Sequence, residues 1–343
     1  MDPIRHQKIV VSHFGGPEEL TLVCTETAPP KEGFARLKVL AIGVGYTDIM
    51  ARRGEYLLNH KLPLTPGYEL VGEVLDFGDD SLDSRPAWLR VGVQVAACLP
   101  RMGAYTEYIT LPYGLLVPLP TDLDVYKAAA LPLNYLTALS LLERHGKVEE
   151  GDPVLIHGAS GGVGEAVCQL GSMQKLKMYG TASAHNAGRL GAYSVHVIDY
   201  HHQDFETVLR QAEPKGLKAV FDSIGGNYLL KSYRLLQRGG VLVSYAFAGH
   251  PGKIYQDTLM GALQNMLLGI VPGSRRTAIC SVPNEIKNDL AWYQRSLARL
   301  LEMAAKHQLV PTMSEVFPLR EAPSAHMLME KREKLGKIIL SGS

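Results

Sequence analysis

One stretch limits the fold of this chain more than any other: an apolar run that breaks into glycines. The run Val154–His157 is followed by the glycine-rich turn Gly158–Gly164 and the mainly apolar stretch Glu165–Leu170. A buried parallel strand has an uninterrupted apolar sequence, and glycines let backbone N–H groups approach an anion at the positive N-terminus of the next helix. The stretch therefore predicts a strand, a tight turn that binds pyrophosphate, and a helix.

The turn fits the G-x-G-x-x-G dinucleotide fingerprint in one register. That register places Ala159 at the first glycine, Gly161 at the close approach to the ligand, and Gly164 at the packing of helix on strand. The candidate cofactor-binding residues of the turn are Ala159, Ser160, Gly161, Gly162, Val163 and Gly164. The same pattern also suits a purely structural helix entry, so the surrounding elements must decide.

Strands and helices alternate after the turn. The predicted strands are 177–181, 195–199, 218–222 and 241–245, with a further edge strand at 277–281, and the predicted helices are 205–211 and 228–236. Alternation of this kind indicates an α/β fold with a doubly wound parallel sheet, which favours a dinucleotide site at the turn.

The first part of the chain has a different pattern. From Lys8 to about Pro120, short strands are separated by Pro and Gly turns, which suggests an all-β unit, and 79–86 reads as an exposed polar loop. A helix at 290–306 and a strand at 337–340 would return the chain to this β unit.

Composition excludes several classes of partner. The 343 residues contain 35 basic and 34 acidic side chains, and these are interspersed, so neither nucleic acid nor an anionic membrane is expected to bind. No apolar run is long enough to span a membrane, and the N-terminus lacks the apolar core of a signal peptide, so we expect a cytoplasmic protein. Four cysteines without C-x-x-C spacing predict reduced, mostly buried thiols.

The end of the second strand of this sheet bears on the choice of dinucleotide. An NAD site usually has Asp or Glu there, to bind the ribose 2′-OH. Here the strand ends in Thr181, Ala182 and Ser183. Small hydroxyl residues leave room for a 2′-phosphate, which favours NADP, although a plain polar turn is the alternative. Arg189 is the nearby cation that could contribute.

In combination, these residues resemble the zinc-independent quinone oxidoreductase branch of the medium-chain dehydrogenase/reductase superfamily. Within that branch, they are similar to the VAT-1-like proteins. Besides the glycine turn, the segments that carry the resemblance are 41–54, 62–69, 134–138, 180–184, 198–200, 222–226 and 335–340. The resemblance implies a GroES-like β domain at 1–125 completed by 283–343, a Rossmann NADP-binding domain at 126–282, a cleft between them for nicotinamide and substrate, and a homodimer.

The resemblance also implies roles for single residues. Tyr46, Asn134 and Thr137 should lie near the nicotinamide and substrate, Ser183 and Tyr200 near the adenosine, and Arg332 near the 2′-phosphate or cleft rim. Two positions depart from the family: Gly45 stands in place of a common Asn, and Asn186 in place of a lysine that grips the 2′-phosphate.

The zinc ligands of the alcohol dehydrogenases are also missing. Tyr68 precedes Glu69 where those enzymes have His, and Gly45 lies in the segment of their first Cys. We therefore expect no catalytic metal, and Glu69 is expected to pair internally within the β domain.

Without a metal, the expected reaction is hydride delivery from NADPH to a quinone or to the β-carbon of an α,β-unsaturated carbonyl. The second acceptor gives an enolate that needs a hydrogen-bond donor and a proton. Tyr46 is the candidate donor or substrate contact, and a packed wall residue is the alternative.

Two other functions remain open. Tyr46 and the segment 317–323 suggest an enoyl reductase that acts in trans on an acyl-carrier thioester, and the two departures would suit an NADPH-binding interaction protein with little turnover. His157 is expected to be a hydrogen-bonded core residue, and His201 and His202 surface residues. The methionines of 260–268 are assigned to a substrate lid, to a helix core or to a dimer interface.

Overall fold

The computed structural model describes residues 2–56, 61–78, 85–247, 254–331 and 336–342. The chain forms two compact units: the first comprises Met1–Leu136 and Val282–Ser343, and the second comprises Thr137–Ser281. Residues 79–84 of the predicted polar loop lie outside the described residues, as does Arg332.

Regular elements cover most of both units. The strands are β1 Ile4–Val11, β2 Leu20–Thr27, β3 Phe34–Val44, β4 Glu69–Phe77, β5 Gln94–Cys98, β6 Tyr108–Pro112, β7 Val117–Pro118, β8 Pro153–His157, β9 Lys177–Ala182, β10 Val195–Asp199, β11 Leu217–Asp222, β12 Leu236–Ser244, β13 Arg276–Ile279, β14 Met313–Pro318 and β15 Lys337–Ser341. The helices are α1 Tyr46–Arg52, α2 Val125–Ala129, α3 Pro132–Leu139, α4 Gly162–Met173, α5 Ala187–Gly191, α6 Phe205–Ala212, α7 Asn227–Leu235, α8 Ile254–Gly269, α9 Val282–Asn288, α10 Leu290–Ala305 and α11 Ala322–Lys331.

The second unit is built on one parallel sheet. Its strand order is β10-β9-β8-β11-β12-β13, so the chain moves outward from β8 on one side and returns to fill the other side from β11. With right-handed crossovers, the helices that join β8, β9 and β10 lie on one face of the sheet, and those that join β11, β12 and β13 lie on the other. The predicted doubly wound parallel sheet is confirmed.

The core of this unit explains why its strands read as apolar runs. Leu155, Val220 and Leu242 come from three adjacent strands and are fully buried. Phe205 and Leu209 of α6 and Leu229 and Tyr233 of α7 complete the same cluster. Alternate residues along a strand point to the same face of the sheet. On this face, the buried strand residues are covered by the amphipathic helices α6 and α7.

The first unit is a β structure closed by both ends of the chain. Its larger sheet has the order β14-β15-β3-β4-β5-β7 with β6 paired to β3, and β1 pairs with β2 in a separate hairpin. The predicted return of the chain is confirmed, because β15 runs antiparallel to β3 with Leu340 opposite Ile42.

The expectation of an all-β first part was wrong at one place, where residues 46–52 form helix α1. Seven residues are too short for a helix to be stable alone, so tertiary contacts must hold it. Asp48 accepts the Gly45 N–H at its start, and Arg52 at its end is ion-paired with Glu330 of α11.

Helix length and polarity also bear on whether the chain can span a bilayer. Among the residues that the structure describes, no helix has both the length and the apolar character that a membrane span requires.

Candidate cofactor and substrate sites

The predicted cofactor residues gather at the carboxyl edge of the parallel sheet. His157, the last residue of β8, pairs with Thr181 of β9, and Asp199 at the end of β10 pairs with Ala182. The glycine turn, Ser183 and Tyr200 therefore come directly after three adjacent strand ends. In open α/β sheets, ligands bind at this edge, at the point where the strand order reverses.

Backbone geometry makes the turn a cradle, by which we mean residues 158–164. Gly158 has φ of 66°, a left-handed conformation that glycine adopts without steric cost. At Gly164, an added Cβ would lie 2.7 Å from Ala159 Cα and also overlap the carbonyl oxygen of Gly158. The helix can therefore pack this closely on the turn only with glycine at 164.

Helix α4 begins at the cradle without a capping side chain. Its N-cap residue is Gly161, and the helix is 12 residues long. The first N–H groups of any helix have no intrahelical acceptor, and together with the helix dipole they attract an anion. The cradle thus fits the pyrophosphate of a dinucleotide.

Arg189 supports the cradle, although its position in the sequence suggested a role at the 2′-phosphate. Its Nη1 lies 2.6 Å from Glu165 Oε2, and its Nη2 donates to the Ser160 carbonyl at 3.1 Å. This ion pair offsets the one acidic side chain in the first turn of α4. Arg189 is therefore engaged with the cradle itself, which reduces its capacity to serve a 2′-phosphate.

The segment after β9 forms a small polar cluster. Asn186 is buried, and its Nδ2 donates to Ser183 Oγ at 3.1 Å. His185 Nδ1 lies 3.1 Å from the same hydroxyl, and this neighbour was not predicted from the sequence. Asn186 Oδ1 is buried and has no hydrogen-bond partner among the residues that the structure describes.

Tyr200 completes this edge of the sheet. Its side chain is 48% exposed, and its ring centroid lies 4.3 Å from that of His201. An exposed aromatic ring at the strand end next to that of Ser183 offers a face for a planar base. His201 and His202 are both exposed, as predicted.

His157 is the core residue that was predicted. It is fully buried, its Nδ1 lies 3.1 Å from Thr181 Oγ1 and its Nε2 lies 2.9 Å from Ser232 Oγ. Burial lowers the pKa of His157 to about 3, so the ring is neutral. A catalytic base role is not supported by this environment.

In the first unit, two predicted residues lie next to a contact between the start of α1 and α3. Gly45 lies beside Leu133, because an added Cβ would be 3.7 Å from Leu133 Cδ2. Half-buried Tyr46 and Asn134 are the next residues along each segment. Thr137 is buried and belongs to the second unit.

Glu69 links helix α3 to strand β15. Its Oε2 accepts the Leu133 N–H at 2.7 Å, and its other oxygen is ion-paired with Lys337 of β15. Both side chains of the ion pair are buried. The prediction that Glu69 pairs internally is confirmed, and the contact also fixes the start of the helix that carries Asn134.

Asp48 is a second organising carboxylate, which was not predicted from the sequence. Its oxygens accept the Gly45 N–H at 2.8 Å, the Gly67 N–H at 3.1 Å and the Tyr105 hydroxyl at 3.3 Å. Burial raises the pKa of Asp48 to about 6. A lone acidic residue within the otherwise uncharged 41–51 was the available signal.

Gly67 precedes Tyr68, which by the resemblance described above stands where the alcohol dehydrogenases have a zinc-ligating His. The Tyr68 and Tyr56 rings are 6.1 Å apart at 77°, and their hydroxyls share a hydrogen bond. Burial raises the pKa of Tyr56 to about 12 and that of Tyr68 further. Both phenols remain protonated donors at neutral pH.

Comparison with known proteins places the chain in a family. Residues 31–121 match the family described as "Alcohol dehydrogenase GroES-like domain", and residues 190–340 match "Zinc-binding dehydrogenase". The human "Synaptic vesicle membrane protein VAT-1 homolog" is 31% identical over 351 residues, which covers 97% of this chain and 85% of the human protein.

Two further relatives support the same family assignment. The "2-haloacrylate reductase" of Burkholderia sp is 31% identical and covers 96% of this chain and 97% of its own length. The solved quinone oxidoreductase of Coxiella burnetii superposes with a TM-score of 0.81 at 27% identity, covering 98% and 99% of the two chains. The chain belongs to the VAT-1-like quinone oxidoreductase branch of the medium-chain dehydrogenase/reductase superfamily.

Membership confirms the fold expected from the resemblance. The first unit is GroES-like and the second is a Rossmann unit with a doubly wound parallel sheet. The protein is an oxidoreductase of this family, and quinone oxidoreductases of the superfamily bind a nicotinamide cofactor.

Proposed function

We propose that the protein is an NADPH-dependent reductase that transfers a hydride to a quinone or to the β-carbon of an α,β-unsaturated carbonyl, without zinc. The observation that carries the proposal is the cradle, where an uncapped 12-residue helix begins at Gly161 and Gly164 leaves no room for a side chain. The names of the relatives support it, since a haloacrylate is an activated alkene and a quinone accepts hydride directly.

We assign the units accordingly, with the Rossmann domain at 126–282 for the cofactor and the GroES-like domain at 1–125 and 283–343 for the substrate. The cradle residues 159–164 would bind the pyrophosphate, with Ser183, Asn186 and Tyr200 at the adenosine. Asn134, Thr137 and Arg332 complete the proposed cofactor set.

The choice of NADPH over NADH depends on the residues after β9. Ser183 is a hydroxyl donor in place of the carboxylate that NAD sites use for the 2′-OH. The family's lysine is Asn186 here, and Arg189 is ion-paired with Glu165. We therefore expect a preference for NADPH that is weaker than a lysine would give.

The cofactor, when bound, supplies the hydride, and the protein supplies position, hydrogen bonds and a proton. Tyr46, at the start of α1, would donate a hydrogen bond or a proton to the oxygen of a small-molecule carbonyl substrate. Asp48 fixes the backbone of Gly45 immediately before it.

The donor chemistry around Tyr68 supports a reaction without zinc. Zinc is held by imidazole, thiolate and carboxylate ligands. At the position of the alcohol dehydrogenases' histidine ligand this chain has a phenol that burial keeps protonated. A protonated phenol is a hydrogen-bond donor and does not replace imidazole as a ligand.

We also propose a homodimer through the second unit. Strand β13 ends the sheet order, and five side chains of α8 beside it are exposed: Leu259, Met260, Leu263, Met266 and Leu267. These exposures rule out the helix-core assignment of the methionines. A second copy of the chain would pair the backbone groups at the edge of β13 and would remove this apolar face of α8 from water. Met266→Glu should convert a dimer into a monomer in light scattering after gel filtration.

The test of the proposed reaction is a fluorescence titration with NADPH and NADH, with a subsequent acceptor panel at fixed NADPH. Free quinones and enones should be reduced. Activity confined to pantetheine crotonyl thioesters would indicate the trans-acting enoyl reductase, and tight NADPH binding without any turnover would indicate an interaction protein. A protein that binds neither nucleotide would contradict the proposal.

A further inference from the structure

The cradle has a neighbour across the point where the strand order reverses. Strand β11 pairs with β8 on the side away from β9, with Phe221 opposite Ile156. Asp222 therefore lies beside His157, and the turn 222–226 lies beside the cradle. Because ligands of open α/β sheets enter this crevice, the turn 222–226 forms its second wall.

A buried carboxylate shapes this turn. Asp222 is fully buried, its Oδ2 accepts the Gly225 N–H at 2.9 Å and its Oδ1 accepts the Ile224 N–H at 3.3 Å. Gly225 and Gly226 have φ of 82° and 58°, values that favour glycine. The carboxylate and the two glycines together fix the direction in which Ser223 projects.

Ser223 projects onto the cradle. Its Oγ donates to the His157 carbonyl at 3.2 Å, and the Tyr245 hydroxyl donates to the same oxygen at 3.3 Å. An added Cβ on Gly158 would lie only 3.0 Å from Ser223 Oγ. The carbonyl that receives both donors is the last one of β8, immediately before the cradle begins.

We propose that Ser223 and Tyr245 are positioning residues for the dinucleotide: they hold the His157 carbonyl and so fix the start of the cradle, while Asp222 holds Ser223 in place. Neither hydroxyl needs to touch the cofactor for this effect. The inference rests on the proposed function, because it assumes that a nicotinamide dinucleotide occupies the cradle.

The structure offers a matched control. Ser232 is also a buried hydroxyl bonded to His157, but its partner is the ring Nε2 at 2.9 Å and not the carbonyl. Ser232→Ala therefore removes a hydroxyl hydrogen bond from the same residue, at a more buried position than Ser223, without releasing the carbonyl before the cradle.

The experiment measures the NADPH dissociation constant by fluorescence titration for wild type, Ser223→Ala, Tyr245→Phe, the double variant and Ser232→Ala. One lost hydrogen bond should weaken NADPH binding by about 3- to 10-fold, and the double variant should weaken it further. Ser232→Ala should bind as wild type. In steady state the KM for NADPH should rise while kcat at saturating NADPH stays within about twofold.

Amide hydrogen exchange of the cofactor-free protein supplies a second readout. Exchange at residues 158–164 should be faster in the double variant than in Ser232→Ala. The inference is overturned if Ser223→Ala and Tyr245→Phe bind NADPH as wild type does, or if Ser232→Ala weakens binding equally. Wild-type protein that binds neither NADPH nor NADH would remove the proposed function, and the inference with it.

Discussion

Two regions of the molecule are built by different means. One is the cradle, and the other is the corner around Tyr46, by which we mean residues 45–48 with Gly67, Glu69 and Leu133. At the cradle, backbone conformation determines the shape: Gly158 is left-handed, and Gly164 lets α4 pack on the turn. At the corner, carboxylates from distant positions determine it, since Asp48 joins Gly45 to Gly67 and Glu69 joins Leu133 to Lys337. The first region should be sensitive to added volume at Gly164, and the second should be sensitive to the loss of the Asp48 and Glu69 carboxylates.

The largest effect is expected at Glu69. Glu69→Gln leaves Lys337 buried without its ion-pair partner, which costs about 3–5 kcal/mol in comparable cases. We expect a loss of that size in chemical denaturation. Glu26→Gln is the control, because its partner Arg5 is solvent-exposed and such pairs contribute about 0–1 kcal/mol. Equal losses in the two variants would contradict the importance of the buried pair.

The next effect tests the cradle. Gly164→Ala places a methyl group against Ala159 and the Gly158 carbonyl oxygen, and overpacking of this kind costs about 1–3 kcal/mol. We expect the NADPH affinity to fall by about 10- to 100-fold. Gly188→Ala on α5 meets no atom within 4 Å and is the matched control. A cradle that accepts both methyl groups equally would not be a close-packed turn.

Asp48→Asn tests the corner. The amide can accept on one side only, so either Gly45 or Gly67 loses its acceptor. We expect kcat/KM for the acceptor to fall by about tenfold, with the NADPH dissociation constant unchanged.

Asp76→Asn is the control in the same unit, because Asp76 pairs with Arg36 of β3. It should lower stability without changing acceptor kinetics. If both aspartate variants keep wild-type kinetics, the corner has no part in the reaction.

The smallest effect is a pH dependence. Burial raises the pKa of Asp222 to about 7 from an ordinary 3.8, so the folded state retains a proton between these values that the unfolded state has lost. The contribution of Asp222 to stability therefore falls as pH rises from about 4 to 7. Asp222→Asn removes this dependence, and its stability relative to wild type should improve by about 1 kcal/mol for each pH unit between pH 4.5 and 7.

Asp199 is the control, because its pKa is shifted in the opposite direction to that of Asp222. The hydrogen bond from His202 lowers the pKa of Asp199, so its contribution is present at neutral pH and is lost on acidification. Asp199→Asn should therefore show a flat relative stability between pH 4.5 and 7.5, and should change in the opposite direction to Asp222→Asn only below the ordinary value of 3.8. Parallel pH profiles for the two variants would contradict the assigned causes.

The same contrast explains what sequence could and could not predict. The cradle, β8 and β10 are local, because apolar runs and glycines mark them directly, and His157 was assigned correctly from its place in an apolar run. The helix α1 depends on Glu330, which lies 278 residues after Arg52. No local pattern reports such a contact.

The interaction partners of individual side chains could not be predicted from the sequence either. Arg189 is near enough in sequence to serve a 2′-phosphate, yet its guanidinium is bound to Glu165 and to the Ser160 carbonyl. The methionines of α8 could not be placed from the sequence: they are exposed, and α8 lies beside β13, the last strand in the sheet order. Such outcomes depend on which element packs against which, and periodicity alone does not determine this.

The central claim is that the cradle holds NADPH for hydride transfer. Its most direct test is a titration of the purified protein with NADPH and with NADH, and then a measurement of the rate of NADPH oxidation with a quinone and an enone. We predict saturable binding of NADPH tighter than that of NADH, abolished or strongly weakened in Gly164→Ala, and acceptor-dependent oxidation. Equal NADPH binding by wild type and Gly164→Ala, or no binding at all, would contradict the claim.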